Sequence, residues 1–149
     1  MESQFIAMVD ITTKQNTHRM AIAEAIVRVG SIDTITAIEA GEVPKGDVFA
    51  MSRAAGFLGI KKTPDLLPDC HPLPIEFAKI DYAISDLAIT VTVTVKTFYK
   101  TGVEVEAMHG ASVVALNMYD MLKPIDKRIT IESIGLVKKT GGKSDIHNP

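Results

Sequence analysis

One cysteine, Cys70, no tryptophan and 5% aromatic residues mark a chain of 149 residues by what it has little of. A single thiol excludes an internal disulfide framework. Lys and Arg number 16 against 18 Asp and Glu, giving a net charge of −2, and the basic residues are scattered rather than massed. Without a basic stripe or aromatic stacking platforms, nucleic acid is not an expected partner, though a local basic pocket for a small anion remains possible. Long apolar runs are missing too, since Thr, Lys, Asp or Glu interrupts each one before membrane-spanning length. Met1-Glu2-Ser3-Gln4 lacks the charged segment and apolar core of a signal peptide, so a cytoplasmic setting is expected.

What is abundant is apolar content, at 46%. In a chain of single-domain size, residues 1–149, such a surplus without a membrane segment points to burial between subunits. Residues 10–16 read as an irregular lead-in. Arg19, Ala21, Ala23, Ala25, Val27 and Val29 then alternate with larger or polar residues, which reads as a strand with a small-residue face suited to a close helix. The alanines would also tolerate a helix. Ser31 caps a short helix over 32–40, and Asp47 a second over 48–60, with Val48, Met51, Ala55 and Leu58 along one side. Residues 61–74 hold four prolines and are expected to be irregular, a stiffened connection of the kind used for function.

Strands follow over 75–84 and 87–96, the second alternating Ile89, Val91, Val93 and Val95 with threonines. After Thr101-Gly102 comes a third helix with a buried stretch, Ala111-Ser112-Val113-Val114-Ala115-Leu116, then a strand over 129–137 and a mobile tail from about 140. With its two early helices taken as one crossover, this order is α+β: a ferredoxin-like antiparallel sheet with helices packed on one face.

The third helix carries Glu104 and Glu106 at its head and Asp120 and Lys123 at its tail. Dipole complementarity explains acids at the head and a lysine near the tail; paired or working charges explain them as well. Asp120 and Lys123 are three apart on one face. Their apolar surroundings suggest a partly buried pair in which a lysine lowered toward neutrality is a general acid and the aspartate its partner or a base. Lys45-Gly46-Asp47 is either an anion site before a helix start or a plain turn. Adjacent Cys70 and His71 chelate poorly and no ligand spacing exists, so no metal is expected. His71 is then either a packed histidine or one used for hydrogen bonding or proton transfer. Gly141-Gly142-Lys143-Ser144 is not a phosphate loop, because its first glycine would fall on Val137 and no helix follows.

Five blocks in this order and spacing resemble the MoaC family of molybdenum cofactor biosynthesis, over nearly the whole chain. They are Lys45-Gly46-Asp47-Val48-Phe49-Ala50, Leu67-Pro68-Asp69-Cys70-His71-Pro72-Leu73, Thr101-Gly102-Val103-Glu104-Val105-Glu106-Ala107, Tyr119-Asp120-Met121-Leu122-Lys123 and Gly141-Gly142-Lys143-Ser144. The resemblance implies a lyase that converts (8S)-3′,8-cyclo-7,8-dihydroguanosine 5′-triphosphate to cyclic pyranopterin monophosphate and diphosphate; the residues themselves demand no cofactor. It implies a homo-oligomer, a hexamer built as a trimer of dimers. By the same match Asp120 takes the place of the active-site aspartate, and Lys45 and Lys123 of essential lysines. Asp69, Cys70, His71, Val105 and Glu106 fall at substrate-binding positions, and Glu104, Arg19 and Lys139 at further pocket positions. Asp69 stands where the family commonly has an apolar residue, so only a main-chain contact transfers there, and the tail lacks the glycine often found before Asp145.

A sensor that binds a purine-like effector without turnover is the rival from another class, and it has no use for Asp120 beside Lys123. Glu106 and Asp120 are about 20 Å apart along a continuous helix. Either two subunits share one site, or Glu106 lies in a loop before the helix and folds back toward Asp120.

Overall fold

The computed structural model describes residues 6–149; the Met1-Glu2-Ser3-Gln4 segment, on which the signal-peptide expectation rests, lies outside the described residues. Strands β1 (Thr17–Arg28), β2 (Phe77–Ser85), β3 (Ala88–Tyr99), β4 (Thr130–Thr140) and β5 (Ile146–His147) alternate with helices α1 (Ile32–Ala40), α2 (Val48–Leu66) and α3 (Glu104–Leu122). The fold is α+β, with one five-stranded antiparallel sheet in the order β2-β3-β1-β4-β5. No helix among the described residues is long and apolar enough to cross a membrane.

Period-two alternation builds the floor of the core. Ile89, Val91, Val93 and Val95 of β3 have no exposed surface, and neither do Ala21, Ala23, Ala25 and Val27 beside them on β1. Burying each valine or isoleucine contributes about 1.5–3 kcal/mol. The alanines do something else. Their short side chains let α3 lie close over the central strands, where Ala107, Ala111 and Ala115 are also fully buried.

Helix α1 occupies the expected residues, with the Ser31 hydroxyl accepting from the Asp33 amide and Gly41 closing the end at φ 68°. Helix α2 does not stop at residue 60 but runs on to Leu66, straight through Pro64. A proline there removes the amide that would bond the Ile60 carbonyl. The Thr63 hydroxyl, fully buried, donates in its place to the Ile60 and Gly59 carbonyls, both at 3.0 Å. The prolines therefore break the chain only after residue 66.

The buried side of α2 also differs from the expected one. Met51 and Leu58 are 50% and 59% exposed, while Val48, Ser52, Gly56, Gly59, Ile60 and Thr63 face inward. Small residues win that side because α2 lies antiparallel against α3 at short range. A Cβ added at Gly56 would come within 2.5 Å of Val114 Cγ2 and 2.6 Å of Ile80 Cδ1; one at Gly110 would meet Ile60 Cγ1 at 2.7 Å. Just past α3, the Asp126 carboxylate takes the Gly30 amide and the Thr34 hydroxyl, each at 2.7 Å, and fastens the helix end to the start of α1.

Gly56→Ala gains about 1 kcal/mol of helix propensity but incurs overpacking of about 1–3 kcal/mol. Two contacts at 2.5 and 2.6 Å put the overpacking in the upper part of that range, so the expected net effect is a loss of about 1–2 kcal/mol in unfolding free energy, read as a lower denaturant midpoint. An unchanged or higher midpoint would contradict the close-packing account.

Candidate functional site

Because α2 and α3 are antiparallel and of equal length, each end of the pair joins a different set of candidate residues. At the C-terminal end of α3, the loop before α2 brings Lys45 to Asp120. Lys45 Nζ donates to the Asp120 carbonyl at 2.8 Å and lies 3.5 Å from its carboxylate, while Lys123 Nζ is 3.1 Å from the same carboxylate. The hydrogen bond from Lys123, then the charge of Lys45, holds the Asp120 carboxyl below the usual carboxylate range. These three side chains are half-exposed, so the partly buried pair expected from the sequence is not present in one chain, although Val113 and Leu116 share its cavity. Asp120 and Lys123 line an open cavity of about 500 Å³ with Asn117 and Tyr119.

At the other end of α3, a cavity of about 400 Å³ is lined by Asp69, Cys70, His71, Glu104, Val105 and Glu106, with Thr101 and Gly102 at its edge. Glu106 belongs to the first turn of α3 and is only 2% exposed. Burial pushes its carboxyl up from the usual range, and the Cys70 thiol donates to Glu106 Oε2 at 3.4 Å. Burial and then the Glu106 charge push the Cys70 thiol up to about 11. It is a hydrogen-bond donor here rather than a thiolate nucleophile. His71 Nε2 donates to the Val9 carbonyl at 2.7 Å and fastens the lead-in beside the cavity.

Lys139 and Arg19 stand beside this second group without lining its cavity, both close to Gly142. Lys139 Nζ pairs with Glu104 at 3.0 Å, both side chains about three-quarters buried. Arg19, 9% exposed, donates only to main-chain carbonyls, Tyr99 at 3.2 Å and Lys100 at 3.1 Å. Carbonyl partners leave its full charge unneutralised, which is what an anion-binding arginine requires. Beyond β4 the chain turns at Gly141, whose φ of 92° admits no ordinary side chain. A Cβ there would also strike the His18 carbonyl. Asp145 Oδ1 accepts from the Gly141 amide, and Ile146 pairs with Lys139.

The structure thus brings Lys45, Asp120 and Lys123 together, and separately Asp69, Cys70, His71, Glu104, Val105, Glu106, Arg19 and Lys139. It does not bring the two groups together. Fourteen helical residues, about 20 Å, separate Glu106 from Asp120. Since Glu106 is helical, the loop that would fold it back toward Asp120 does not exist. Among the described residues no three His, Cys, Asp or Glu side chains are grouped as metal ligands. Ser52 and Asn117, which meet beside the first cavity, were not singled out from the sequence. The available signal was a polar residue set among small and apolar neighbours on each of the two helices.

The chain is similar to known proteins over nearly its whole length. The model of the MoaC family matches residues 8–142. A protein of Clostridium perfringens (strain 13 / Type A) named cyclic pyranopterin monophosphate synthase is 46% identical over 95% of this chain and 90% of its own. One of the same name from Pelobacter propionicus is 48% identical over 98% of this chain and 92% of its own. Another, from Geotalea uraniireducens, is 47% identical over 94% of this chain and 88% of its own.

The raised carboxyl of Glu106 has a stability consequence with a definite sign. In the unfolded chain a glutamate titrates near about 4.3. Its folded value is higher, so stability falls as pH rises from there through the folded value, and is fully present only below. Glu106→Gln is expected to be more stable than the parent at pH 7, with the advantage vanishing below about pH 4. Urea unfolding at the two pH values measures this; a variant less stable at pH 7 would contradict it.

Proposed function

This chain belongs to the MoaC family, and from that premise we propose that it is a cyclic pyranopterin monophosphate synthase of molybdenum cofactor biosynthesis. Its substrate is the cyclised GTP derivative (8S)-3′,8-cyclo-7,8-dihydroguanosine 5′-triphosphate, and its products are cyclic pyranopterin monophosphate and diphosphate. The observation that carries the residue roles is the convergence of Lys45 and Lys123 on Asp120 beside one open cavity. Exposed ion pairs of this kind add little to stability, so their arrangement is better explained by use than by folding.

Ring opening and re-closure require protons to be taken and given, and Asp120, Lys123, Lys45 and His71 are the groups for it. Asp120, held as a carboxylate by two ammonium groups, is suited to act as base or to orient the lysines. Cyclic phosphate formation requires a sugar hydroxyl to attack the α-phosphorus while diphosphate leaves. Here catalysis is positioning plus charge stabilisation, for which the lysines at one end and Arg19 with Lys139 at the other supply cations. Asp69, Cys70, His71, Val105, Glu106 and Glu104 hold the substrate. No cofactor enters the scheme.

The enzyme is a single cytoplasmic domain, and its fold is ferredoxin-like. The strand order β4-β1-β3-β2, with helical crossovers after β1 and β3, supports that reading. It is a homo-oligomer, a hexamer assembled as a trimer of dimers, and two subunits share each active site. Exposed apolar side chains on the outer surface of the helix pair, among them Leu58 at 59% and Leu116 at 62%, support a partner chain there. The separation of the two residue groups within one chain supports the sharing. Two α3 helices antiparallel about a two-fold axis would set Glu106 of one subunit near Asp120 of the other.

Diphosphate release from the cyclised substrate tests the function. Asp120→Ala and Lys123→Ala are each expected to lower it by on the order of 10²-fold or more while leaving fold and assembly intact. Release near the parent level in either well-folded variant would overturn the assigned roles. Binding without any release by the parent would favour the sensor instead.

A further inference from the structure

Ser52 of α2 has no exposed surface, yet it carries a hydroxyl in the middle of the helix seam. Its Oγ accepts from Asn117 Nδ2 at 3.0 Å, and Met121 Sδ lies 3.4 Å from the same nitrogen. Both neighbours take the amide nitrogen, so that end of the carboxamide is turned inward and Oδ1 is turned away from it. Among the described residues no buried side-chain nitrogen or oxygen lacks a partner, and Asn117 makes its hydrogen bonds there through Nδ2 alone. The oxygen is therefore accessible, and Asn117 lines the cavity of about 500 Å³ that holds Asp120 and Lys123. Three positions before Asp120, it stands on the same side of α3.

The chemistry of that cavity lacks something without it. Lysines donate but never accept, and the Asp120 carboxylate is engaged by both of them. Such a cavity takes anions but says little about the rest of the ligand. An uncharged acceptor fixed by a buried hydroxyl recognises an N–H or O–H donor, and a purine-derived, sugar-bearing ligand carries several. We propose that Asn117 is a substrate-contact residue, its carboxamide oxygen accepting from an N–H or O–H group of the substrate, and that Ser52 is the positioning residue that aims it. The proposal rests on the synthase reading and adds a specificity determinant to it.

Asn117→Leu keeps the shape of the side chain and removes the oxygen. Losing one neutral hydrogen bond should raise KM about 3- to 10-fold, with kcat within about twofold of the parent. Ser52→Ala should raise KM by less, and the double variant should match Asn117→Leu within about twofold, because Ser52 acts only through Asn117. Asn117→Ala gives the same readout should the leucine variant not fold. A role confined to packing would lower Tm and leave KM alone. KM within twofold of the parent in a folded Asn117 variant would overturn the proposal, and multiplicative KM effects in the double variant would overturn the role of Ser52. A parent chain that releases no diphosphate would overturn the synthase reading itself, an outcome distinct from either.

Discussion

Helix α2 rests on α3 with a glycine or another small side chain wherever the two approach most closely. Gly56 faces Val114, Gly59 faces Val113, and Gly110 faces Ile60. Each glycine lowers helix propensity by about 1 kcal/mol relative to alanine, and a close seam with buried apolar neighbours offsets that cost. The seam also sets register. With the helices antiparallel and both nineteen residues long, the loop before α2 must reach the end of α3, and the segment after α2 must reach its beginning. Lys45 meets Asp120 and Cys70 meets Glu106 for that reason.

The two ends put their charges to different physical use. Around Asp120 the groups are half in water, so the carboxylate stays ionised between two ammonium groups. Around Glu106 the protein has removed the water, and ionisation becomes costly. One end therefore offers an ionised carboxylate and the other an acid held closer to its neutral form. A reaction that must both transfer protons and neutralise a leaving diphosphate has use for both environments.

Much of the sheet was legible because alternation is a local signal. Ile89, Val91, Val93 and Val95 point inward in the sequence pattern and in space. Helix α1 was equally plain, its cap and its terminal glycine being residue-specific. The far end of α2 was not, because Pro64 reads as a breaker unless one knows that the Thr63 hydroxyl replaces the missing amide. The inward face of α2 was misjudged for a related reason. Hydrophobicity favours Met51 and Leu58, whereas the seam selects for smallness, which only the proximity of α3 reveals. Spacing alone left every charged candidate with two explanations, and the family resemblance supplied the roles. Asn117 escaped both routes, since one polar residue between apolar neighbours has no pattern until its partner on another helix is seen.

If one chain carries two halves of a site at the ends of α3, then function requires a second copy. The direct measurement mixes Glu106→Ala and Asp120→Ala chains, each expected to be inactive alone, under conditions that exchange subunits, and assays diphosphate release. A shared site predicts recovery of about a quarter of the parent activity at equal mixing, since chance then pairs an intact Glu106 with an intact Asp120 in that fraction of pockets. No recovery after verified exchange would mean that both residues serve from one chain, and the divided site would be wrong.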